Sequence, residues 1–171
     1  MMHKILSIID KFSPAQRAHA HCDIPCGIYD PHNAQVAAHS VIRMNQLINE
    51  AKMDPNAPVE DRKKFVSAMT RYTAQKEEAA ELLKKEVRIL WGDYFKPEHL
   101  ADHPELHDLV WKTLKLASKA RQNVDLAAAE ELLENVNKIA EIFWKTKGMG
   151  TMRAVAPYPT GKETVYPTGK K

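Results

Sequence analysis

The chain is poor in cysteine, with only two in 171 residues. Two cysteines cannot build a disulfide framework or an all-cysteine zinc site. A mixed zinc finger is excluded too, since no His pair follows Cys26 at the usual gap of roughly 12–15 residues. Long apolar runs are missing. The best is Ile5-Leu-Ser-Ile-Ile9, far short of the ~18 residues of a membrane-spanning helix, so no membrane partner is expected. No segment reads as a strand of useful length. No Glu has a His three residues later, which removes the ferritin-like di-iron site built on Glu-x-x-His. A basic body is also lacking. The formal net charge is +3, but Lys4, Lys11 and Arg17 against Asp10 give the first twenty residues +2, and Arg153, Lys162, Lys170 and Lys171 against Glu163 give residues 148–171 +3. The stretch between is therefore −2, the opposite of the basic stripe that nucleic acid demands.

What is present is enough for one soluble domain, since about 100–200 residues per domain is usual and a core of that size needs no staples. Four amphipathic stretches fill residues 31–147. The first opens at Asp30-Pro31, an acidic cap followed by proline in the first turn. Ala34, Ala37, Val41, Met44, Ile48 and Ala51 then recur at helical spacing, and Pro55 and Pro58 end the run. The second spans about Glu60 to Leu90, with Phe65, Met69, Tyr72, Ala79, Leu83 and Val87 inward. After a loop, Gly92–His103, the third starts at Pro104 with Leu106, Val110, Leu114 and Ala117. The fourth is capped by Asp125, carries Ala129, Leu132, Val136, Ile139 and Phe143, and stops at Gly148. The expected fold is all-α, an antiparallel up-down-up-down four-helix bundle. His99, His103 and His107 recur every four residues, but Pro104 breaks their alignment, so they read as loop and helix-start residues. Trp91, Trp111 and Trp144 read as core packing. The tail, residues 148–171, repeats Tyr158-Pro-Thr-Gly-Lys162 as Tyr166-Pro-Thr-Gly-Lys170 and reads as extended and poorly ordered.

Chemistry is concentrated in His21-Cys-Asp-Ile-Pro-Cys-Gly-Ile-Tyr29, just before the first helix. Three residues separate Cys22 from Cys26, so the two-residue spacing of thioredoxin-type redox motifs does not apply. Pro25 and Gly27 bracket Cys26 and permit a tight turn. On spacing alone a small disulfide loop, a metal site and an idle pair all stay open. The preceding residues favour metal. Residues 1–20 are basic and end in Ala18-His-Ala20, a small-x-small pattern like a peptidase site, with too short an apolar centre for ordinary export. Cutting after Ala20 frees the His21 α-amine, whose pKa of roughly 7.7–8.0 lets it lose its proton and ligate. That amine, the next backbone nitrogen and two thiolates make a planar set of two nitrogens and two sulfurs. Such a set suits Ni(II) or Cu(II), with the His21 imidazole left as an axial donor.

The segment from His21 through Tyr29-Asp-Pro31 resembles the nickel hook of nickel-containing superoxide dismutases. Trp91-Gly-Asp-Tyr-Phe-Lys-Pro97 with Pro104-Glu-Leu-His107, and Phe143-Trp-Lys-Thr-Lys147, agree in order and spacing, so the resemblance covers about residues 21–147. It implies a four-helix bundle with an N-terminal hook, made as a precursor: a leader (1–20), a hook (21–30) and the bundle (31–147), while the tail (148–171) exceeds the family's pattern. It further implies dismutation of two superoxide anions and two protons to dioxygen and hydrogen peroxide by nickel cycling between Ni(II) and Ni(III), one ion per subunit. By position the ligands are His21, Cys22 and Cys26. Tyr29 stands at the mouth of the site, and Asp23, Pro25, Asp93, Tyr94 and Lys96 support it. Pro25 matches the family's cis-proline, a constraint on the hook. Lys96 would attract an anionic substrate. A homohexamer, a peptidase acting after Ala20 and a cytoplasmic location complete the expectation.

Two positions depart from the family. A glutamate and an arginine that partner the axial imidazole in some members fall here at Ala37 and Ala79, leaving His39 or solvent as replacements. The rival reading is a non-catalytic helical protein that sequesters nickel or copper; a third is a structural bundle with a disulfide loop.

Overall fold

The structure, a computed structural model, describes residues 27–170. Helix α1, His32–Glu50, begins where the His32 N–H donates to Asp30 Oδ1 at 2.7 Å, which satisfies one of the orphan donors of the first turn. It ends at Ala51, where the backbone turns extended ahead of Pro55 and Pro58. Helix α2, Val59–Ile89, is 31 residues long, about 46 Å, and opens with Glu60 and Asp61 at the positive end of its dipole.

The expected loop at 92–103 is largely helical. A single π-helical turn, Leu90–Tyr94, closes when the Phe95 N–H donates to Leu90 O at 3.0 Å. Helix α3, Pro97–Asp102, follows with proline in its first turn, where a missing N–H costs nothing. Helix α4 is Leu106–Gln122. Helix α5 is Leu126–Thr146, capped by Asp125 Oδ1 accepting from the Ala128 N–H at 2.9 Å and stopped by Gly148 at φ +69°, a conformation that favours glycine.

Helix α1 packs on α2 and α5, and α4 packs on the same two, so the four long helices close a cycle. Val41, Ile42, Leu83, Val87, Leu106, Val110, Leu132, Val136, Ile139 and Phe143 fill its centre. These side chains recur every three or four residues on each helix, which is why one stripe from each can be buried at once. Buried Lys76 of α2 reaches the Asn123 carbonyl at the end of α4, and burial holds its pKa below the usual lysine value. None of the helices among the described residues is long and apolar enough to cross a membrane.

Three expectations are corrected. The fold is mostly helical but not all-α, because residues 149–170 form an antiparallel pair: β1, Met149–Val155, and β2, Glu163–Lys170, with Met152 opposite Tyr166. The segment read as a poorly ordered tail is thus a hairpin lying on α5. The first Pro-Thr-Gly-Lys forms the turn, where Gly161 takes φ +65°, the second lies within β2, and Val165 and Ala156 are buried. Trp91 and Trp111 are not core residues either, at 41% and 60% exposure. Trp91 lies in the π-helical turn, where it donates Nε1–H to His107 Nδ1 at 2.8 Å. Trp111 faces outward beneath Lys115, whose Nζ is 5.7 Å from its ring.

Candidate metal centre and its support

His21, Cys22, Asp23, Pro25 and Cys26 lie outside the described residues. The structure begins at Gly27, whose φ of +89° turns the chain just after Cys26. Ile28 is exposed and Tyr29 half-buried. The ring of Tyr29 lies 5.4 Å from that of Tyr94, tilted at 50°, within the range of favourable aromatic pairs. A cleft of about 330 Å³ runs beside this pair, lined by Ile28, Tyr29, Asn33, Lys85, Glu86 and Leu90 among others.

Tyr94 is the centre of the support. Its hydroxyl is 2.6 Å from Thr146 Oγ1, and Thr146 spends its own proton on Phe143 O at 2.7 Å. The tyrosine is therefore the donor. Phe143 and Phe95 pack on its ring at 4.6 and 5.2 Å, His99 stacks at 5.6 Å, and Lys147 Nζ sits 4.8 Å over it, a cation on an electron-rich face. The stretch 91–97 and the stretch 143–147, far apart in sequence, thus meet at one tyrosine.

Of the other expected residues, Asp93 and Lys96 are exposed on either side of Tyr94. Among the described residues neither has an ion-pair partner, and Lys96 donates its backbone N–H to His99 Nδ1 at 3.2 Å. The histidines separate: His99 is in α3, His103 Nδ1 is 3.2 Å from Glu105 Oε1, and His107 holds Trp91. No group of three His, Cys, Asp or Glu among the described residues could hold a metal.

Ala37 and Ala79 are both buried and line one cleft between α1 and α2 with Ser40, Gln75, Glu81 and Arg88. Glu81 accepts from Arg88 and from Arg121, each at 3.0 Å, and the Arg88 hydrogen bond holds its carboxyl below the usual range. His39 does not serve as a replacement partner. Its Nδ1 is 2.7 Å from Thr160 Oγ1 and its Nε2 is 2.7 Å from Thr164 Oγ1, so the hairpin takes both nitrogens. Burial lowers its pKa to about 4, and the imidazole is neutral. Sequence reasoning missed this role; the available signal was a histidine and a glutamine on the inner face of α1.

The description of the nickel-containing superoxide dismutase family matches residues 16–147. The superoxide dismutase [Ni] of Streptomyces coelicolor is 43% identical over 136 residues, covering 80% of this chain and 95% of that protein. That of Streptomyces seoulensis is 40% identical over the same length. A native nickel superoxide dismutase structure is similar at a TM-score of 0.63 and 42% identity, covering 74% of this chain and 99% of the other. A structure with nickel ligation corresponding to the oxidised state gives 0.64 and 37%.

Proposed function

The chain belongs to the family of nickel-containing superoxide dismutases, and from that premise we propose that His21, Cys22 and Cys26 are its nickel ligands and Tyr29 the gate beside them. It is an oxidoreductase that converts two superoxide anions and two protons to hydrogen peroxide and dioxygen, with nickel as cofactor. The donor chemistry fits the ion: two soft thiolates with two nitrogens are a set that divalent nickel takes. Bound there, nickel supplies the one-electron couple that alternates between Ni(II) and Ni(III).

The rest is work for the chain's own residues. Removal of residues 1–20 by a peptidase frees the His21 amine for ligation, and with it the Cys22 backbone nitrogen and both thiolates would hold the ion. The His21 imidazole would be a further donor to the ion. With alanine at positions 37 and 79 and both nitrogens of His39 taken by the hairpin, solvent is left as the polar partner of that imidazole. Asp23 and Pro25 hold the turn of the hook. Tyr29 narrows the approach to small anions and orders water that can hand on a proton. Tyr94 fixes Tyr29, and its own proton is committed to Thr146, so its role is to orient. Lys96 and Asp93 flank that support, and the free ammonium of Lys96 draws superoxide inward.

The closed cycle of four long helices supports an up-down-up-down bundle. A homohexamer is supported by α2, whose first half shows exposed Val59 and Val66 beside half-buried Phe65, Met69 and Tyr72. Apolar surface of that kind is usual at contacts between subunits. The location we propose is cytoplasmic, because the leader lacks an ordinary export core.

The observation that carries the site is the Tyr29–Tyr94 contact. It fixes the chain three residues beyond Cys26 onto the 91–97 stretch. The test is nickel stoichiometry in the chain beginning at His21. One ion per subunit is expected, lost in Cys22→Ser and in Cys26→Ser; retention of nickel in both variants would remove these ligands from consideration.

A further inference from the structure

Residues 149–170 lie beyond the stretch 16–147 that the family description matches, yet the hairpin they form is welded to α1 and α5 through buried polar groups. Gln35 Nε2 donates to Asn137 Oδ1 at 3.0 Å and to Val165 O at 3.1 Å. Asn137 Nδ2 donates to Glu163 O at 3.0 Å, and its oxygen accepts from the Val165 N–H at 3.3 Å. One turn along α1, His39 is 3% exposed, gripped between Thr160 and Thr164 at 2.7 Å on each nitrogen, with the Tyr158 ring edge-on at 4.9 Å. On the outer side Arg153 bonds Glu134 and Glu141, and Lys162 Nζ lies 2.8 Å from Glu130.

We propose that this hairpin is a clasp on α1, that His39 is the positioning residue it grips, and that the clasp holds in register the helix on which the metal-binding segment is mounted. The two copies of Tyr-Pro-Thr-Gly-Lys have divided the work. The first forms the turn and supplies Tyr158, Thr160 and Lys162 to the grip. The second is strand, with Tyr166 paired to Met152.

Three physical facts carry the assignment. A neutral imidazole offers one donor and one acceptor on opposite edges. Two threonine hydroxyls satisfy it fully, because each can serve in either sense. The hairpin adds polar anchors to a helix start otherwise held by the Asp30 hydrogen bond to the His32 N–H, the Tyr29–Tyr94 contact and buried Ala34. Lastly, Gln35 and His39 are buried polar groups on a helix face, and without the hairpin the His39 nitrogens and one Gln35 donor lose their partners, which is costly when they stay buried.

The consequence for nickel rests on the reading of residues 21–26 given above, so the test separates the two. Thr160→Val with Thr164→Val, and Thr160→Val alone as the milder variant, are made in the chain beginning at His21 and loaded with nickel. Amide hydrogen exchange is read in the hairpin, in residues 32–42 and, as reference, in residues 80–89, alongside the rate at which EDTA removes nickel. Exchange in the hairpin and in residues 32–42 is expected to rise together, roughly tenfold in the double variant, with the reference within about twofold and nickel lost faster. A hairpin that loosens while residues 32–42 keep their protection would overturn the clasp and leave a mere cover. Unchanged hairpin exchange in both variants would overturn His39 as its grip. Coupled loosening in a protein that never held nickel would sustain the clasp and remove the ligand reading instead.

Discussion

The ring of Tyr29 rests 5.4 Å from that of Tyr94, and this pair joins the segment after the cysteines to two distant parts of the chain. Tyr94 is held in turn by Thr146 and Phe143 of α5. The support under the proposed metal site is therefore a packed aromatic cluster fixed by one phenol hydrogen bond. Removing the hydroxyl and removing the ring should have separable effects.

Tyr94→Phe loses a single hydrogen bond and leaves Thr146 still donating to Phe143 O, so it should cost about 1 kcal/mol. Tyr94→Ala opens a cavity among Tyr29, Phe95, His99 and Phe143 and should cost about 2–4 kcal/mol. Urea unfolding measures both. Dismutase activity should fall much further in the alanine variant, because only that one releases Tyr29.

Stability should decline with acid through His39. Its folded pKa is lowered to about 4 from 6.5, so the unfolded state binds the proton more readily. The contribution is complete above pH ~6.5, is lost as pH falls from there towards 4, and amounts to about 3 kcal/mol at most. Unfolding midpoints in that window should slope with pH in the parent and slope less in His39→Gln. Equal slopes would mean that another group governs the acid limb.

Arg153 ties the hairpin to α5 by two carboxylates. Its Nη1 and Nη2 meet Glu134 at 2.7 and 3.1 Å and its Nε meets Glu141 at 2.7 Å, holding the Glu134 carboxyl below its usual range. Since all three side chains are partly exposed, Arg153→Gln should cost only about 1 kcal/mol. The loss should shrink at high salt. A double-mutant cycle with Glu134→Gln isolates the term.

Lys96 is predicted to act through charge alone. Lys96→Gln should lower kcat/KM several-fold at low ionic strength and flatten its salt dependence, while Lys96→Arg should stay near the parent. Stopped-flow superoxide decay across a salt series decides this, and a parent-like salt slope in the glutamine variant would exclude steering by this residue.

Much of the helical frame was legible because its signals are local. Asp125 caps α5 as its position before an apolar run suggests, and Gly148 stops it with a positive φ. Asp30 likewise opens α1. The hairpin was hidden because its strands carry Pro, Gly and Lys, while its anchors Gln35, His39 and Asn137 are polar residues within helices, where the pairing partner is more than a hundred residues away for Gln35 and His39. Helix α3 was missed despite Pro97 followed by Glu98, an N-terminal signature too short to stand out from a loop. The cluster around Tyr94 was legible only through resemblance, since no local pattern joins Tyr94 to Thr146. The exposure of Trp91 had no local signal either: it lies in the π-helical turn, which the helical periodicity of α2 does not foretell.

The most direct test is superoxide dismutation by the nickel-loaded chain beginning at His21, beside the same protein with residues 1–20 attached. The account predicts activity near the diffusion ceiling of about 10⁸–10⁹ M⁻¹s⁻¹ in the trimmed form and little in the extended one, whose His21 lacks a free amine. Equal activity in both would contradict the role of that amine. A trimmed form that binds nickel yet stays inactive would contradict the assigned site, and the alanines at positions 37 and 79 would be the first residues to change.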